Sequence, residues 1–177
     1  MNFNIHTFYK FHCICILPLT KINKLPELKK TTLDIILISE GSLTRSIEYL
    51  TSNTVYIQKS EKENYKLSFQ KQKMRSVWMG TCIYSQLTFA RSLWMTIDKK
   101  RSGFTSKLPI GKSFIKHRLD IHKTIHELYY GYGQLMNIPH MYKQPIWGRK
   151  YTLYYKDKYY ITIQEFFSPE IINGLIT

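Results

Sequence analysis

The chain has 177 residues, of which 44% are hydrophobic and 15% aromatic, and it carries a formal net charge of +14 from 26 Lys+Arg against 12 Asp+Glu. This length and apolar content predict one domain with one packed core over residues 1–177, and they argue against intrinsic disorder. Such a charge usually indicates a nucleic acid or an anionic membrane as partner, but AT-rich codon usage is a simpler explanation, since the chain is rich in Lys, Ile, Tyr and Asn and contains one alanine.

The first apolar run, Phe8–Leu19, is interrupted by Lys10 and His12 and contains Pro18 near its end. It is too short to span a bilayer, and it lacks the small-residue cleavage site of a signal peptide. We therefore expect a strand or an extended arm packed on the domain, and no membrane span. Because no Arg/Ser-rich transit helix opens the chain, a protein working in an organelle would have to be made there.

Helical spacing follows in the first third of the chain. Thr32–Ser39 places Leu33 and Ile36 on one side of a predicted helix, which the Glu40-Gly41 pair would end. Ser42 is a suitable N-cap for a second helix over Leu43–Leu50. The two helices are predicted to form a helical hairpin.

From Thr54 onward the hydrophobic period changes to two, which is typical of strands. Strands are predicted at Thr54–Lys59 and Tyr65–Phe69, with a charged turn at Lys59–Asn64 between them. Arg75–Tyr84 and Leu87–Ile97 also alternate, and the two residues between them predict an antiparallel hairpin.

The last third continues the same pattern after a short helix. Pro109 is predicted to open a helix that ends near Arg118. Ile125–Tyr132 is a possible strand, and Lys150–Tyr155 with Tyr159–Phe167 predicts a final hairpin. About six antiparallel strands, with helices early and in the middle, indicate the α+β class.

Two charged residues stand on strand faces that should point inward. Arg75 shares a face with Val77 and Met79, and Glu165 shares a face with Ile163 and Phe167. A buried charge must be paired or neutralised, because an isolated buried ion costs several kcal/mol at least. The pattern alone favours a buried Arg–Glu ion pair or an edge-strand charge, and leaves open two groups facing one ligand pocket.

Other familiar sites match poorly. His122 and His126 have i, i+4 spacing but lack the adjacent Glu of a metalloprotease helix, so no metal site is expected. The segment Ile110-Gly111-Lys112-Ser113 resembles the end of a phosphate loop, but Ser106 stands where such a loop needs its first glycine. The Tyr- and Lys-rich stretch Tyr151–Tyr160 could stack on single-stranded nucleic acid, although such alternation is more typical of a half-exposed strand.

Taken in order, six short blocks resemble the chorismate pyruvate-lyase family and its cyanobacterial and plastid-encoded relatives. Each block is weakly specific alone, whereas their order between Ser39 and Pro169 is more specific. The blocks are Ser39-Glu40-Gly41-Ser42-Leu43-Thr44-Arg45, Arg75-Ser76-Val77-Trp78-Met79, Leu87-Thr88-Phe89-Ala90-Arg91-Ser92, Leu108-Pro109-Ile110-Gly111-Lys112, Trp147-Gly148-Arg149 and Gln164-Glu165-Phe166-Phe167-Ser168-Pro169.

This resemblance implies an α+β fold with a six-stranded antiparallel sheet, helices on one face, and a ligand cavity beneath two helix-turn flaps. The family's ligand-contacting positions correspond to Leu43, Arg75, Ile110 and Glu165. Arg75 and Glu165 are the implied catalytic residues. Arg91 and Arg149 are further candidates, either for a second substrate carboxylate or for scaffolding.

The implied reaction is the loss of pyruvate from chorismate to give 4-hydroxybenzoate for quinone biosynthesis. Such a carbon–oxygen lyase needs no metal, nucleotide or other cofactor, because formation of the aromatic ring drives the reaction. Arg75 would clamp a carboxylate, and Glu165 would bind the hydroxyl end or move a proton. The backbone N–H of Ile110 would bind a carboxylate oxygen, and Leu43 would supply an apolar wall.

The same resemblance, together with the AT-biased composition, predicts a plastid (chloroplast) protein. We expect a monomer that acts on a small molecule and binds no nucleic acid. Two alternatives remain at this stage. One is a catalytically inactive protein of the same fold that binds small aromatic acids, as in the effector-binding domains of some bacterial transcription regulators. The other is a basic nucleic-acid-binding protein, which would cluster its lysines on one face.

Overall fold

The computed structural model is described here for most of the chain. It covers residues 11–18, 36–67, 70–84, 86–94, 109–133, 144–155 and 158–173.

Seven strands form one sheet in which all neighbouring strands are antiparallel. Their order across the sheet is β1-β5-β6-β7-β4-β3-β2. The strands are β1 (Phe11–Pro18), β2 (Tyr56–Leu67), β3 (Gln70–Gly80), β4 (Thr88–Trp94), β5 (Ile121–Gly133), β6 (Ile146–Tyr155) and β7 (Lys158–Phe167).

Three helices lie wholly within the described residues: α1 (Leu43–Thr51), α2 (Ile110–Lys116) and α3 (Pro169–Asn173). Ile36 and Leu37 are helical as well. The predicted starts of the first two are confirmed, with Ser42 and Pro109 at their N-cap positions. The Ser42 side chain makes no capping hydrogen bond, contrary to its expected role. Most of the helix predicted at Thr32–Ser39 lies outside the described residues, so the helical hairpin is not described as a unit.

The α+β class is confirmed, but the prediction of six strands is wrong because β1 adds a seventh. It pairs with β5 from Phe11↔Gly133 to Pro18↔Glu127. Without this partner β5 would leave a row of unpaired backbone N–H and C=O groups at the sheet edge. The expected strand within Phe8–Leu19 is therefore present, and it completes the sheet.

The charged turn predicted at Lys59–Asn64 is also wrong. Those residues lie inside β2, which pairs continuously with β3 as far as Leu67↔Gln70. Because β2 is the last strand at its side of the sheet, a charged sequence is tolerated there, and natural edge strands commonly carry charges. The charged residues of this stretch therefore belong to an edge strand and not to a turn.

The two later hairpins are confirmed, although their boundaries shift. In the β3–β4 pair Arg75 lies opposite Ser92, and the connection spans residues 81–87 rather than two residues. The Thr81 backbone N–H donates to the Tyr84 carbonyl at 2.8 Å and closes this turn. The β6–β7 hairpin begins at Tyr155↔Lys158.

One face of the sheet carries the main core and supports α1 and α2. Strand side chains from five strands meet helix side chains there, since alternation places every second residue on this face. Buried members of this core include Val77, Ala90, Ile125, Leu153 and Ile163 from the strands and Leu43, Ile47 and Phe114 from the helices. The opposite face carries ring pairs such as Trp78–Phe89, whose centroids are 4.5 Å apart.

Gly148 in β6 provides a test of the packing between β6 and β7. A Cβ at this position would lie 2.7 Å from the Glu165 carbonyl oxygen and 2.7 Å from Cδ1 of Phe166. We expect Gly148→Ala to lower the free energy of unfolding by about 1–3 kcal/mol, because backbone and a buried ring must move. Gly41→Ala is the control, since its Cβ would meet Ser39 Oγ at 3.2 Å in an exposed turn. Equal urea midpoints for the two variants would contradict this packing.

Candidate functional site

A cavity of about 600 Å³ lies between the core-bearing face of the sheet and the two helices α1 and α2. Its floor comes from five strands and its roof from the turns that lead into the helices. The lining includes Arg75, Val77, Met79, Ala90, Ser92, Lys123, Tyr151, Leu153, Ile163 and Glu165 from the strands and Ser42, Leu43, Ile110 and Phe114 from the roof.

All four positions carried over as ligand-contacting residues line this cavity. Leu43 opens α1 and Ile110 opens α2, so both belong to the roof. Arg75 lies in β3 and Glu165 in β7, so both belong to the floor. The structure thus brings together around one cavity residues that are up to 122 positions apart (165 − 43).

The sheet register sets the spacing between the two charged residues. Glu165 lies opposite Ala90 in β4, and Ala90 lies opposite Val77 in β3. Arg75 is therefore two strands across from Glu165 and two residues along. At about 4.8 Å per strand and about 6.7 Å per two residues, their backbones are about 12 Å apart. The apolar side chains of Val77 and Ile163 line the same cavity.

Glu165 is buried, and both of its carboxylate oxygens accept hydrogen bonds. Arg149 Nε donates to Oε2 at 2.8 Å, and the Tyr151 hydroxyl donates to Oε1 at 2.7 Å. Burial, then the nearby Glu165 charge, raises the pKa of Tyr151 well above its usual value, so the phenol stays a neutral donor. Glu165 thus forms its buried ion pair with Arg149.

Arg149 is fully buried and connects β6 to the segment before α1. Its Nη1 donates to the carbonyl oxygens of Ile36 at 2.5 Å, Leu37 at 3.3 Å and Ser39 at 3.3 Å. Of its two candidate roles, the arrangement favours scaffolding, because Nε and Nη1 are engaged by protein groups and Arg149 is not among the described residues that line the cavity. Its Nη2 is buried and has no hydrogen-bond partner among the described residues. Its side chain shares the inward face of β6 with Tyr151 and Leu153, which are also buried.

Lys123 is a cavity-lining residue that the sequence reasoning missed. Its Nζ donates to the carbonyl oxygens of Ser39 at 3.0 Å and Gly41 at 3.2 Å, and it lies 4.4 Å from the centroid of the Tyr151 ring. Burial, and then the neighbouring Arg149 charge, lower the pKa of Lys123 to about 7 against the opposing effects of Glu165 and Glu40. The predicted strand began at Ile125, whereas β5 begins at Ile121 and so includes Lys123.

Arg75 is 8% exposed, so it is a cation placed in a largely apolar wall. Burial lowers the pKa of Arg75, but an arginine stays charged near neutral pH because its ordinary pKa lies far above that range. The Arg75 backbone carbonyl accepts a hydrogen bond from Ser92 Oγ at 3.2 Å, which holds β3 against β4 at this point.

A second ion pair joins the two roof helices. Lys112 Nζ lies 2.5 Å from Glu48 Oε1 and 3.2 Å from the Val55 carbonyl oxygen. The same Glu48 oxygen accepts the Val55 backbone N–H at 2.9 Å. The lysine of the segment that resembled a phosphate loop therefore links α2 to α1.

The remaining candidates lie away from the cavity. Arg91 faces the opposite side of the sheet, where its Nε donates to Met74 Sδ at 2.6 Å. His126 bonds to Thr152 Oγ1 at 2.8 Å. Across the described segments, no group of three or more His, Cys, Asp or Glu side chains is arranged to hold a metal ion, and no helix is both long enough and apolar enough to cross a membrane.

The Arg149–Glu165 pair predicts a characteristic stability pattern. Arg149→Met should lower the free energy of unfolding by about 3–5 kcal/mol, because it leaves a buried carboxylate without its cation. The double variant Arg149→Met/Glu165→Leu should recover part of that loss, since both charges are gone. Lys112→Met is the control, because its pair with Glu48 is about one-quarter exposed on each side and should cost about 1 kcal/mol or less. A double variant less stable than Arg149→Met, measured in urea, would contradict this account.

Three comparisons place the chain among known proteins. The sequence model of the family described as Chorismate pyruvate-lyase Rv2949c-like matches residues 37–175. The ycf21 protein of Antithamnion sp. is 36% identical over 167 residues, which cover 89% of this chain and 93% of that protein. The ycf21 protein of Pyropia yezoensis is 31% identical over 179 residues, with coverages of 98% and 99%.

A solved structure supports the fold independently of sequence. The effector domain of PhnF from Mycobacterium smegmatis superposes with a TM-score of 0.55 at 6% identity, covering 76% of this chain and 92% of that domain. At this identity the likeness concerns the fold alone. The family match spans most of the chain and includes Leu43, Arg75, Ile110 and Glu165, so the chain belongs to the Rv2949c-like chorismate pyruvate-lyase family.

Proposed function

We propose that this protein is a chorismate pyruvate-lyase that eliminates pyruvate from chorismate to give 4-hydroxybenzoate. The observation that carries the proposal is one cavity of about 600 Å³ with Arg75 and Glu165 in its floor and apolar side chains in the same wall. Such a cavity suits a flat molecule with an anionic end, an apolar ring and a hydroxyl end.

Arg75 would bind the ring carboxylate of the substrate. A planar guanidinium matches a carboxylate with two parallel hydrogen bonds, and its burial makes that contact stronger than it would be in water. At the roof, Ile110 is the first residue of α2, so its backbone N–H belongs to the unpaired first turn and can donate to a carboxylate oxygen. Leu43 would close the apolar wall above the ring.

Glu165 would receive the hydroxyl end of the substrate. Arg149 and Tyr151 hold its carboxylate in place, so little reorganisation is needed when a substrate enters. In the reaction, the proton on the hydroxyl-bearing ring carbon leaves, the bond from the neighbouring ring carbon to the enolpyruvyl oxygen breaks, and the released enol takes up a proton to become pyruvate. Glu165 is the group we assign to the proton movement at that end.

The setting we propose is a plastid, with the product used for quinone biosynthesis. The ycf21 relatives from red algae, which are plastid-encoded, support the location, as does the AT-biased composition. We also propose a monomer without a cofactor, since one chain supplies both the floor and the roof of the cavity. Nucleic-acid binding has no part in this proposal.

The decisive test is turnover by Arg75 variants. The protein mixed with chorismate should form 4-hydroxybenzoate and pyruvate, and Arg75→Ala should lower kcat/KM by roughly 10- to 100-fold through the loss of charged hydrogen bonds. Arg91→Ala is the matched control, because Arg91 lies on the neighbouring strand with its side chain on the opposite face of the sheet. Product formation by Arg91→Ala should equal that of the unmodified protein.

Two results would redirect the proposal. Folded protein that forms no 4-hydroxybenzoate, yet is stabilised against heat by 4-hydroxybenzoate, would be a binding protein without catalysis. Folded protein that shows neither turnover nor stabilisation would exclude aromatic acids as ligands of this cavity.

A further inference from the structure

The proposed substrate carries two carboxylates, and Arg75 accounts for one of them. The two other arginines considered for the second are unsuitable, because Arg91 lies on the opposite face and Arg149 is bonded to Glu165 and to backbone carbonyls. The cations that line the cavity besides Arg75 are Arg45 and Lys123. Arg45 is exposed, so water and salt would screen its contact with an anion.

Lys123 can contact an anion in the cavity from its present position. An ammonium group has three donors, and the acceptors found for Nζ among the described residues are the carbonyl oxygens of Ser39 and Gly41. Counting the described acceptors alone, one N–H remains to donate to a ligand. Among the described carboxylates, none lies within ion-pair distance of Nζ. Lys123 is thus a half-buried cation that faces Glu165 and Glu40 without direct contact to either.

Its position relative to Glu165 matches the shape of the substrate. In chorismate the carbon that bears the enolpyruvyl ether is next to the carbon that bears the hydroxyl, and both lie at the end of the ring away from the ring carboxylate. With the ring carboxylate at Arg75 and the hydroxyl at Glu165, the enolpyruvyl group must extend beside Glu165. Lys123 lies there, over the ring of the tyrosine whose hydroxyl holds Glu165.

We propose that Lys123 binds the side-chain carboxylate of the substrate, the one that departs with the three-carbon product. This inference rests on the proposed function and names the residue that recognises the second anionic group. It makes Lys123 a specificity-determining residue. The two carboxylates of a dicarboxylate contact Arg75 and Lys123, whereas the single carboxylate of 4-hydroxybenzoate contacts Arg75 and leaves Lys123 without a ligand. The aromatic product therefore loses one of the contacts that held the substrate.

The environment of Lys123 adds a pH dependence. It faces Arg149 and Tyr151 from β6, Glu165 from β7 and Glu40 from the roof segment, and groups of these types ordinarily titrate outside pH 6–9. Burial is the largest of the effects that lower the pKa of Lys123 to about 7. The protonated form binds a carboxylate, so the affinity for a dicarboxylate should fall as the pH rises above about 7.

The experiment compares two ligands across four proteins: the unmodified chain, Lys123→Met, Lys123→Arg and Lys116→Met. For Lys123→Met we expect a KM for chorismate roughly 10- to 100-fold higher, from the loss of a charged hydrogen bond, and a Kd for 4-hydroxybenzoate within about twofold of the unmodified value. Lys116→Met controls for the change in net charge, because Lys116 is exposed and outside the cavity lining, and it should change neither constant.

Lys123→Arg should restore the chorismate KM, and this KM should no longer rise between pH 7 and 9, because arginine does not titrate in that range. Equal weakening of both ligands in Lys123→Met would overturn the inference in favour of a purely structural role, and no change in either would overturn it as well. Lys123→Arg provides the test if Lys123→Met does not fold. In that case, a chorismate KM of Lys123→Arg that rises with pH, as it does for the unmodified chain, overturns the inference. Failure of the unmodified chain to bind or convert chorismate would instead remove the proposed function.

Discussion

The buried contact between Arg149 and Glu165 is the interaction on which the site depends. Two opposite charges in the centre of a sheet are costly to desolvate, and they persist there only with good geometry and further hydrogen bonds. Tyr151 supplies one of those bonds to Glu165, and three backbone carbonyls supply the others to Arg149. Because those carbonyls belong to the segment before α1, the same ion pair that orients Glu165 also fixes the roof above it.

This arrangement separates the charges of the cavity into two regions. Arg75 lies in β3, whereas Lys123, Tyr151 and Glu165 lie in β5, β6 and β7. Between them the wall is apolar, and an anionic ligand therefore has a preferred orientation. Within the floor, Arg149 compensates the charge of Glu165.

The sequence predicted those parts of the site that depend on strand parity and on ordered motifs. Arg75 and Glu165 were recognisable because each interrupts an apolar strand face. Lys123 was missed because the boundary of β5 was placed two residues past it, at Ile125. Such an error arises because His122, Lys123 and Thr124 carry little hydrophobic signal of their own and gain their strand conformation by pairing with β6. The role of Arg149 depends on contacts with carbonyls more than 100 residues away, which local patterns do not contain.

The edges of the sheet show the same limit for the fold. A charged stretch such as Lys59–Asn64 reads as a turn in isolation, yet it is stable as a strand because β3 provides its partner on one side. The seventh strand required a partner that only the tertiary structure identifies, since Phe11–Pro18 pairs with residues more than 100 positions later. In both cases pairing overrides local propensity.

The roof and the polar end of the cavity are joined by hydrogen bonds to one backbone segment. The Ser39 carbonyl accepts hydrogen bonds from both Arg149 and Lys123, and the chain then passes through Gly41 to Ser42 and α1. The two cations that stand beside Glu165 therefore also hold the segment that leads to Leu43 at the start of that helix, so the floor and the roof of the cavity share the same hydrogen bonds.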